Sequence, residues 1–175
     1  MQKLSLKGYY KLVHKDKFGK VISEETVENL ITNEGKNYVL DAAFNTTALT
    51  TVSDIFYFII QTSGTAAASD TYATPVRTES TNYTEGLRQV WGAGAAASQS
   101  VTNASAATIT ADTGGITVTG IGVVTSPSEQ TGGAAGDVDT KGDATCSDGV
   151  LVSTADVSKT LAESETLDIT YTVNA

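Results

Sequence analysis

The sequence predicts a mainly β domain, an antiparallel β-sandwich or jelly-roll-like fold with one short helix. Several segments alternate apolar and polar side chains with a period of two, which is typical of strands that bury one face. Glycine, asparagine, aspartate and serine are concentrated between these segments, as expected for turns. The chain has 175 residues, the size of one domain, so we expect residues 1–175 to form a single unit.

The first 31 residues predict a β-hairpin. Leucine and tyrosine alternate with lysine from Leu4 to Leu12, and the polar segment 15–20 contains Gly19, which suits a tight turn. An extended pattern then resumes over residues 21–31 and is rich in glutamate. We therefore expect a basic hairpin over residues 3–31, in which cross-strand pairs of lysine and glutamate fix the register.

A short helix is predicted over residues 34–44. Asn33 is a plausible N-cap, and one helical face carries the apolar side chains Tyr38, Val39, Ala42 and Ala43. Gly35 weakens the prediction, because glycine inside a helix costs about 1 kcal/mol relative to alanine. We expect this helix to cover one end of the core.

Residues 54–61 predict a central strand, because apolar side chains occupy both of its faces. Further strands are expected over residues 83–91, 106–111, 116–126, 149–153 and 167–174. Two stretches lack bulky apolar residues or a sustained period. We expect residues 63–82 to form a long surface loop and residues 127–148 to form an exposed polar excursion.

The net charge of −9 is distributed unevenly. Residues 1–20 carry six lysines against Asp16, which is +5, so residues 21–175 carry −14. The acidic body would repel phosphate, so we expect no nucleic-acid partner. The alternative interpretation is that solvated lysines protect an exposed strand edge. We expect the basic segment to bind an acidic protein neighbour, and the partner-binding candidates are Lys3, Lys7, Lys11, Lys15, Lys17 and Lys20.

The sequence offers little for catalysis, and we expect no enzyme and no catalytic residue. His14 is the single histidine, and we expect it on the surface beside a turn. Cys146 is the single cysteine and has no recognisable nucleophile motif around it. Gly120 and Gly122 lack the third glycine and the following helix of a dinucleotide loop, so we expect no cofactor.

One segment partly matches a calcium loop. Its weak candidate ligands are Asp137, Asp139, Asp143 and Asp148. Lys141 occupies a ligand position, and no helices flank the segment. We therefore expect no metal site.

Trp91 and Tyr83 admit two interpretations. Aromatic rings provide flat apolar faces on which sugars stack, so the pair is a candidate carbohydrate platform. Side chains at this spacing along a strand are more often part of a core, and we expect burial.

The longest strongly apolar run, residues 55–60, is far shorter than a membrane-spanning helix requires. The N-terminus also lacks the apolar stretch and cleavage site of a signal peptide. We therefore expect no membrane partner, and synthesis in a cytosol.

Several phrases resemble small virion proteins of tailed bacteriophages. They are LKGYYKL at 6–12, DKFGKV at 16–21, ENLITNEGK at 28–36, KTL at 159–161 and ETLDITYTV at 165–173. The resemblance covers both ends of the chain and is weaker over residues 62–160.

This resemblance implies a structural protein of the virion, assembled in the cytoplasm of the bacterial host. The expected function is that of a capsid decoration or cement protein, which binds the outer surface of the phage head and stabilises it. Its expected partners are the major capsid protein and further copies of itself in a homo-oligomer. The alternatives are a tail, baseplate or fibre-attachment component and a carbohydrate-binding β-sandwich, with Trp91 or the loop 63–82 at the site.

Overall fold

The computed structural model describes residues 5–44, 55–73, 78–127, 132–146 and 148–175. Across these residues the chain forms ten strands and one α-helix. The strands are β1 (Lys7–Lys15), β2 (Val21–Glu28), β3 (Leu30–Ile31), β4 (Phe56–Gln61), β5 (Val90–Trp91), β6 (Ser100–Thr102), β7 (Ala107–Thr110), β8 (Ile116–Thr125), β9 (Val150–Leu161) and β10 (Thr166–Asn174). The helix is α1 (Asn33–Phe44).

Two antiparallel sheets face each other, which confirms the mainly β fold and is consistent with a β-sandwich. Sheet A has the order β2–β1–β10. The other edge of β10 pairs with β7 along its first half and with β6 near its end. Sheet B has the order β3–β9–β8–β4–β5. The first and last long strands are therefore neighbours in sheet A.

The main core lies between the two sheets. The period-two alternation directs Tyr10 and Leu12 of β1 inward, where they meet Phe58 and Ile60 of β4. Tyr10 stacks on Tyr171 with a centroid distance of 4.6 Å. These side chains are almost completely buried, so their apolar area supplies most of the stabilisation.

The N-terminal hairpin forms as predicted, but its second strand is shorter. The chain leaves sheet A after β2 and enters sheet B at β3. Asn29 lies at this crossing, where its side chain donates a hydrogen bond of 2.7 Å to the Tyr171 hydroxyl. The prediction of one strand over residues 21–31 was therefore wrong, because a buried polar side chain divides it.

The helix begins within one residue of its predicted start. Thr32, rather than Asn33, is the N-cap, because its hydroxyl accepts a hydrogen bond of 2.9 Å from the Gly35 amide. Gly35 lies against Val152, whose carbonyl oxygen would be 2.2 Å from a Cβ atom at this position. The glycine that weakened the prediction is therefore the residue that lets the helix approach β9.

The helix covers one end of the sandwich, as expected. Its Tyr38 packs edge-on against Phe56 with a centroid distance of 6.2 Å, so α1 crosses from β9 towards β4. The helix lies near the start of β9, and the turn between β1 and β2 lies near its end. Lys15, the last residue of β1, pairs with Thr166, which follows the β9–β10 turn. We call these the helix end and the turn end.

Two further strand predictions were wrong in extent. Residues 83–91 contribute only β5, and β9 continues to Leu161 instead of ending at residue 153. Register shifts between β8 and β9 interrupt the alternation that sequence patterns rely on. The strand β6 was not predicted at all.

The outer face of sheet B is covered by the two long polar segments. Tyr57 and Ile59 of β4 form a second apolar cluster with Tyr72 of the first segment and with Val138 and Cys146 of the second. The prediction that residues 54–61 are buried on both faces is thus confirmed for residues 55–61, and residue 54 lies outside the described residues. Residues 63–82 and 127–148 were predicted to lie exposed, which was wrong for these three inward-facing side chains.

Candidate functional site

The six candidate lysines do not form one surface. Lys3 lies outside the described residues. Lys7, Lys11 and Lys15 occur every four residues along β1, on the side away from the core. Lys17 and Lys20 belong to the turn that follows. Lys15 forms an ion pair with Asp168, and Lys11 pairs with Glu24 at 3.0 Å. The predicted cross-strand pair of lysine and glutamate is therefore present between β1 and β2.

The outer side of sheet A, which we call the front face, remains open. Its side chains come from β1 and β10 and are Lys7, Tyr9, Lys11, Val13, Lys15, Asp168, Thr170, Thr172 and Asn174. All of them retain exposed surface. The front face is rich in lysine and threonine, and its side chains are fully or partly exposed, so a partner can reach them.

The turn between β1 and β2 is held by hydrogen bonds between the side chain of Asp16 and the backbone of the turn. The carboxylate of Asp16 accepts hydrogen bonds of 2.9 Å from the amides of Phe18 and Lys20, and Gly19 adopts a φ of 83°. Phe18 is 84% exposed at the tip of this turn. The turn therefore presents an aromatic ring between two lysines in a fixed conformation.

Arg88 organises the layer that covers sheet B. Its guanidinium makes a bidentate ion pair with Glu79 at 2.8 and 2.5 Å. It also donates to the Tyr72 hydroxyl and to the carbonyl oxygens of Val138 and Asp143. All five guanidinium N–H groups thus have acceptors. Burial alone would lower the pKa of Arg88, but the hydrogen bonds and charge of Glu79 outweigh it and raise the pKa.

A cavity of about 330 Å³ lies beneath this layer. Its floor is the outer face of sheet B, where Ile59, Val124 and Leu151 are apolar. Its walls carry polar side chains, among them Thr71 and Thr78. Because Arg88 and Glu79 neutralise each other, the cavity suits a small uncharged molecule.

The four weak metal candidates are engaged in other contacts. Asp139 accepts backbone N–H groups of Gly132 and Gly133, and Asp137 accepts that of Ala134. Asp143 accepts from the Thr145 hydroxyl and two backbone amides, which lowers the pKa of its carboxyl. Asp148 accepts from the Ser126 hydroxyl. Among the described residues no group of three histidine, cysteine or acidic side chains is placed to hold a metal.

His14 is buried, so its expected surface position was wrong. The same alternation that buries Tyr10 and Leu12 points His14 inward. Its Nε2 lies 2.8 Å from a carboxylate oxygen of Glu165. The pair ties β1 to the β9–β10 turn.

Cys146 is also buried and lies 3.5 Å from a carboxylate oxygen of Asp148. Burial raises the pKa of the thiol. The reactive thiolate is therefore scarce at neutral pH.

Trp91 and Tyr83 belong to the main core, as expected. The Trp91 indole N–H donates to the carbonyl oxygen of Tyr171 at 3.1 Å. Neither ring presents a face to solvent, so neither forms a sugar platform.

Sequence reasoning missed Arg88 and the cavity. A signal was present, since only two arginines occur in the chain and Arg88 lies between stretches of small polar residues. An isolated arginine near Glu79 and Glu85 is a candidate for a buried ion pair. The loops that supply its carbonyl partners had no periodicity from which their position could be predicted.

A scan against protein-family models, a search of curated proteins and a search of solved structures each found no match to this chain. In the part of the chain that the structure describes, no helix combines the length and apolar character needed to cross a membrane.

Proposed function

We propose that this chain is a capsid decoration protein of a tailed bacteriophage, which binds the outer surface of the head and stabilises it. The observation that carries the proposal is the front face, a mostly polar and partly exposed surface on a sandwich whose other sheet is covered. The resemblance of both chain ends to small virion proteins supports the same conclusion. Cys146 and His14, the side chains best suited to nucleophilic or general-base chemistry, are buried in structural contacts.

The front face has the properties of a protein-docking surface. Lys7 and Lys11 are exposed there, and the Lys11–Glu24 pair has side chains that are 51% and 54% exposed. An exposed ion pair of this kind contributes little to stability. Lys11 can therefore leave Glu24 and pair with an acidic group of a partner at a small cost in free energy. The lysines would set orientation and association rate, while the area buried around Tyr9 and Val13 would supply affinity.

The test uses purified phage heads that lack the protein. Binding of the full chain is measured by co-sedimentation, and the heat stability of the heads is measured before and after binding. We expect saturable binding, a higher disruption temperature, and weaker binding as the ionic strength rises. Heads that neither bind the chain nor gain stability would contradict the proposal.

A charge-reversal variant locates the surface. Lys7→Glu combined with Lys11→Glu is expected to weaken binding about tenfold or more, because two attractions become repulsions. Ala134→Glu combined with Ala135→Glu is the control, since both side chains are exposed in the segment that covers sheet B, away from the front face. Equal loss in both variants would indicate a general charge effect rather than docking by the front face.

The copy number per particle separates the head from the tail. Hundreds of copies are expected for a shell lattice. A handful would instead favour the alternative of a tail, baseplate or fibre-attachment component.

The cavity favours a second candidate function, the binding of a small saccharide. Its aliphatic floor and hydroxyl-bearing walls match the apolar face and hydroxyl edge of a sugar ring. Ala144 lines the cavity, so Ala144→Trp is expected to fill it and abolish binding on a glycan array. Absence of any glycan signal from the unaltered chain would remove this candidate.

A further inference from the structure

Two exposed apolar patches lie at opposite ends of the sandwich. At the turn end, Phe18, Val21 and Ile22 are more than half exposed within five residues. At the helix end, Leu40 is about half exposed and Phe44 is 78% exposed. Residues four apart lie on the same helical face, so Leu40 and Phe44 form one stripe. Large aromatic side chains in these positions are more typical of interfaces than of free surfaces.

The charges of the two patches are complementary. Residues 16–20 carry two lysines and one aspartate, a net charge of +1. The helix carries Glu34, Lys36 and Asp41, a net charge of −1, and its last turn contains no basic residue to balance the partial negative charge of the C-terminal carbonyl groups. A lysine from another molecule would supply that cation.

The turn is already ordered for docking. Asp16 holds it through two side-chain hydrogen bonds to backbone amides, and a hydrogen bond of 2.9 Å from the Gly19 amide to the Asp16 carbonyl closes it. Little backbone conformational entropy is therefore lost when Phe18 is buried against a partner.

We propose that the basic turn of one copy, centred on Phe18, docks against the Leu40–Phe44 stripe of α1 in a second copy. The contact joins two different surfaces, so it is head-to-tail and adds subunits in a chain or closes them into a ring. The inference deepens the proposed function, on which it rests for its biological setting, because it links neighbouring copies on a shell. It leaves the front face free for the shell itself.

The test is sedimentation velocity on the full chain in solution without phage heads. We expect the sedimentation coefficient to rise with concentration and to fall again at high ionic strength. Phe18→Ser and Phe44→Ser are each expected to weaken self-association about tenfold or more, as for truncation of an aromatic hot spot. Leu87→Ser is the matched control, because Leu87 is an exposed apolar side chain outside both patches. It is expected to leave self-association unchanged.

Mixing the two variants gives the sharpest result. Phe18→Ser keeps the helix stripe and Phe44→Ser keeps the turn, so the mixture is expected to form heterodimers that cannot extend. Circular dichroism confirms that each variant is folded.

Several outcomes would overturn the inference. They are an unaltered chain that stays monomeric at millimolar concentration, a Phe18→Ser or Phe44→Ser variant that self-associates as strongly as the unaltered chain, or a mixture that stays monomeric although both variants are folded. Self-association without head binding would contradict only the proposed function, and head binding by a strict monomer would contradict only this inference.

Discussion

Replacing Arg88 with methionine tests whether one buried ion pair holds the outer layer on sheet B. The side chains of Arg88 and Glu79 are 3% and 13% exposed. Arg88→Met keeps much of the apolar volume but leaves the carboxylate of Glu79 without its cation. It also removes the donors to Tyr72 and to two backbone carbonyls.

Removing one partner of a buried pair costs about 3–5 kcal/mol. A loss of about 1 kcal/mol lowers the melting temperature of a domain this size by about 2–4 °C. The midpoint of Arg88→Met is therefore expected to fall by about 10 °C. Urea unfolding followed by Trp91 fluorescence gives the free energy of unfolding directly.

Lys11→Met is the matched control, since it breaks the exposed Lys11–Glu24 pair. Such pairs contribute about 1 kcal/mol or less, so this variant is expected to remain close to the unaltered chain. Adding Glu79→Gln to Arg88→Met is expected to recover part of the loss, because it removes the uncompensated charge. A loss below about 1 kcal/mol for Arg88→Met would refute the reasoning.

Three further predictions follow from other contacts. Gly35→Ala is expected to destabilise the chain despite the higher helix propensity of alanine, because the new methyl group would collide with Val152; thermal unfolding measures this. The Ala162 amide, and then His14, lower the pKa of Glu165. The carboxylate therefore stabilises the fold above its unfolded pKa of about 4.3, and the contribution disappears as the pH falls through the folded value. Glu165→Gln is thus expected to lower the free energy of unfolding at pH 7. In acid its free energy of unfolding is expected to approach that of the unaltered chain, and urea titrations at pH 7 and in acid measure the difference. Cys146 is expected to react with an aromatic disulfide reagent only on unfolding, and rapid labelling of the folded chain would contradict its burial.

The strands with regular alternation were predictable from sequence. In β1 and β10 the inward residues are apolar apart from His14, and the outward residues are mostly polar or charged, so the buried faces were assigned correctly apart from His14. The alternation placed His14 on the inward face, but a surface position was inferred from the chemical type of the side chain, and that inference was wrong.

The outer layer was not predictable from periodicity. Its stability depends on single contacts between residues far apart in sequence, such as Arg88 with Asp143. Val138 is one apolar side chain in a stretch of glycine and aspartate, and nothing local indicates that it inserts beside Tyr57. The charge of the six lysines was evident from the sequence. Which of them lie on the front face and which lie on the turn was not, because that depends on where β1 ends.

The covering of sheet B gives the molecule a defined back as well as a front. Ala134 and Ala135 are exposed in a turn of the segment that forms this back. A short peptide inserted there would project away from both the front face and the two ends. If copies coat a shell as proposed, this turn is the place to display foreign sequences outward without disturbing attachment.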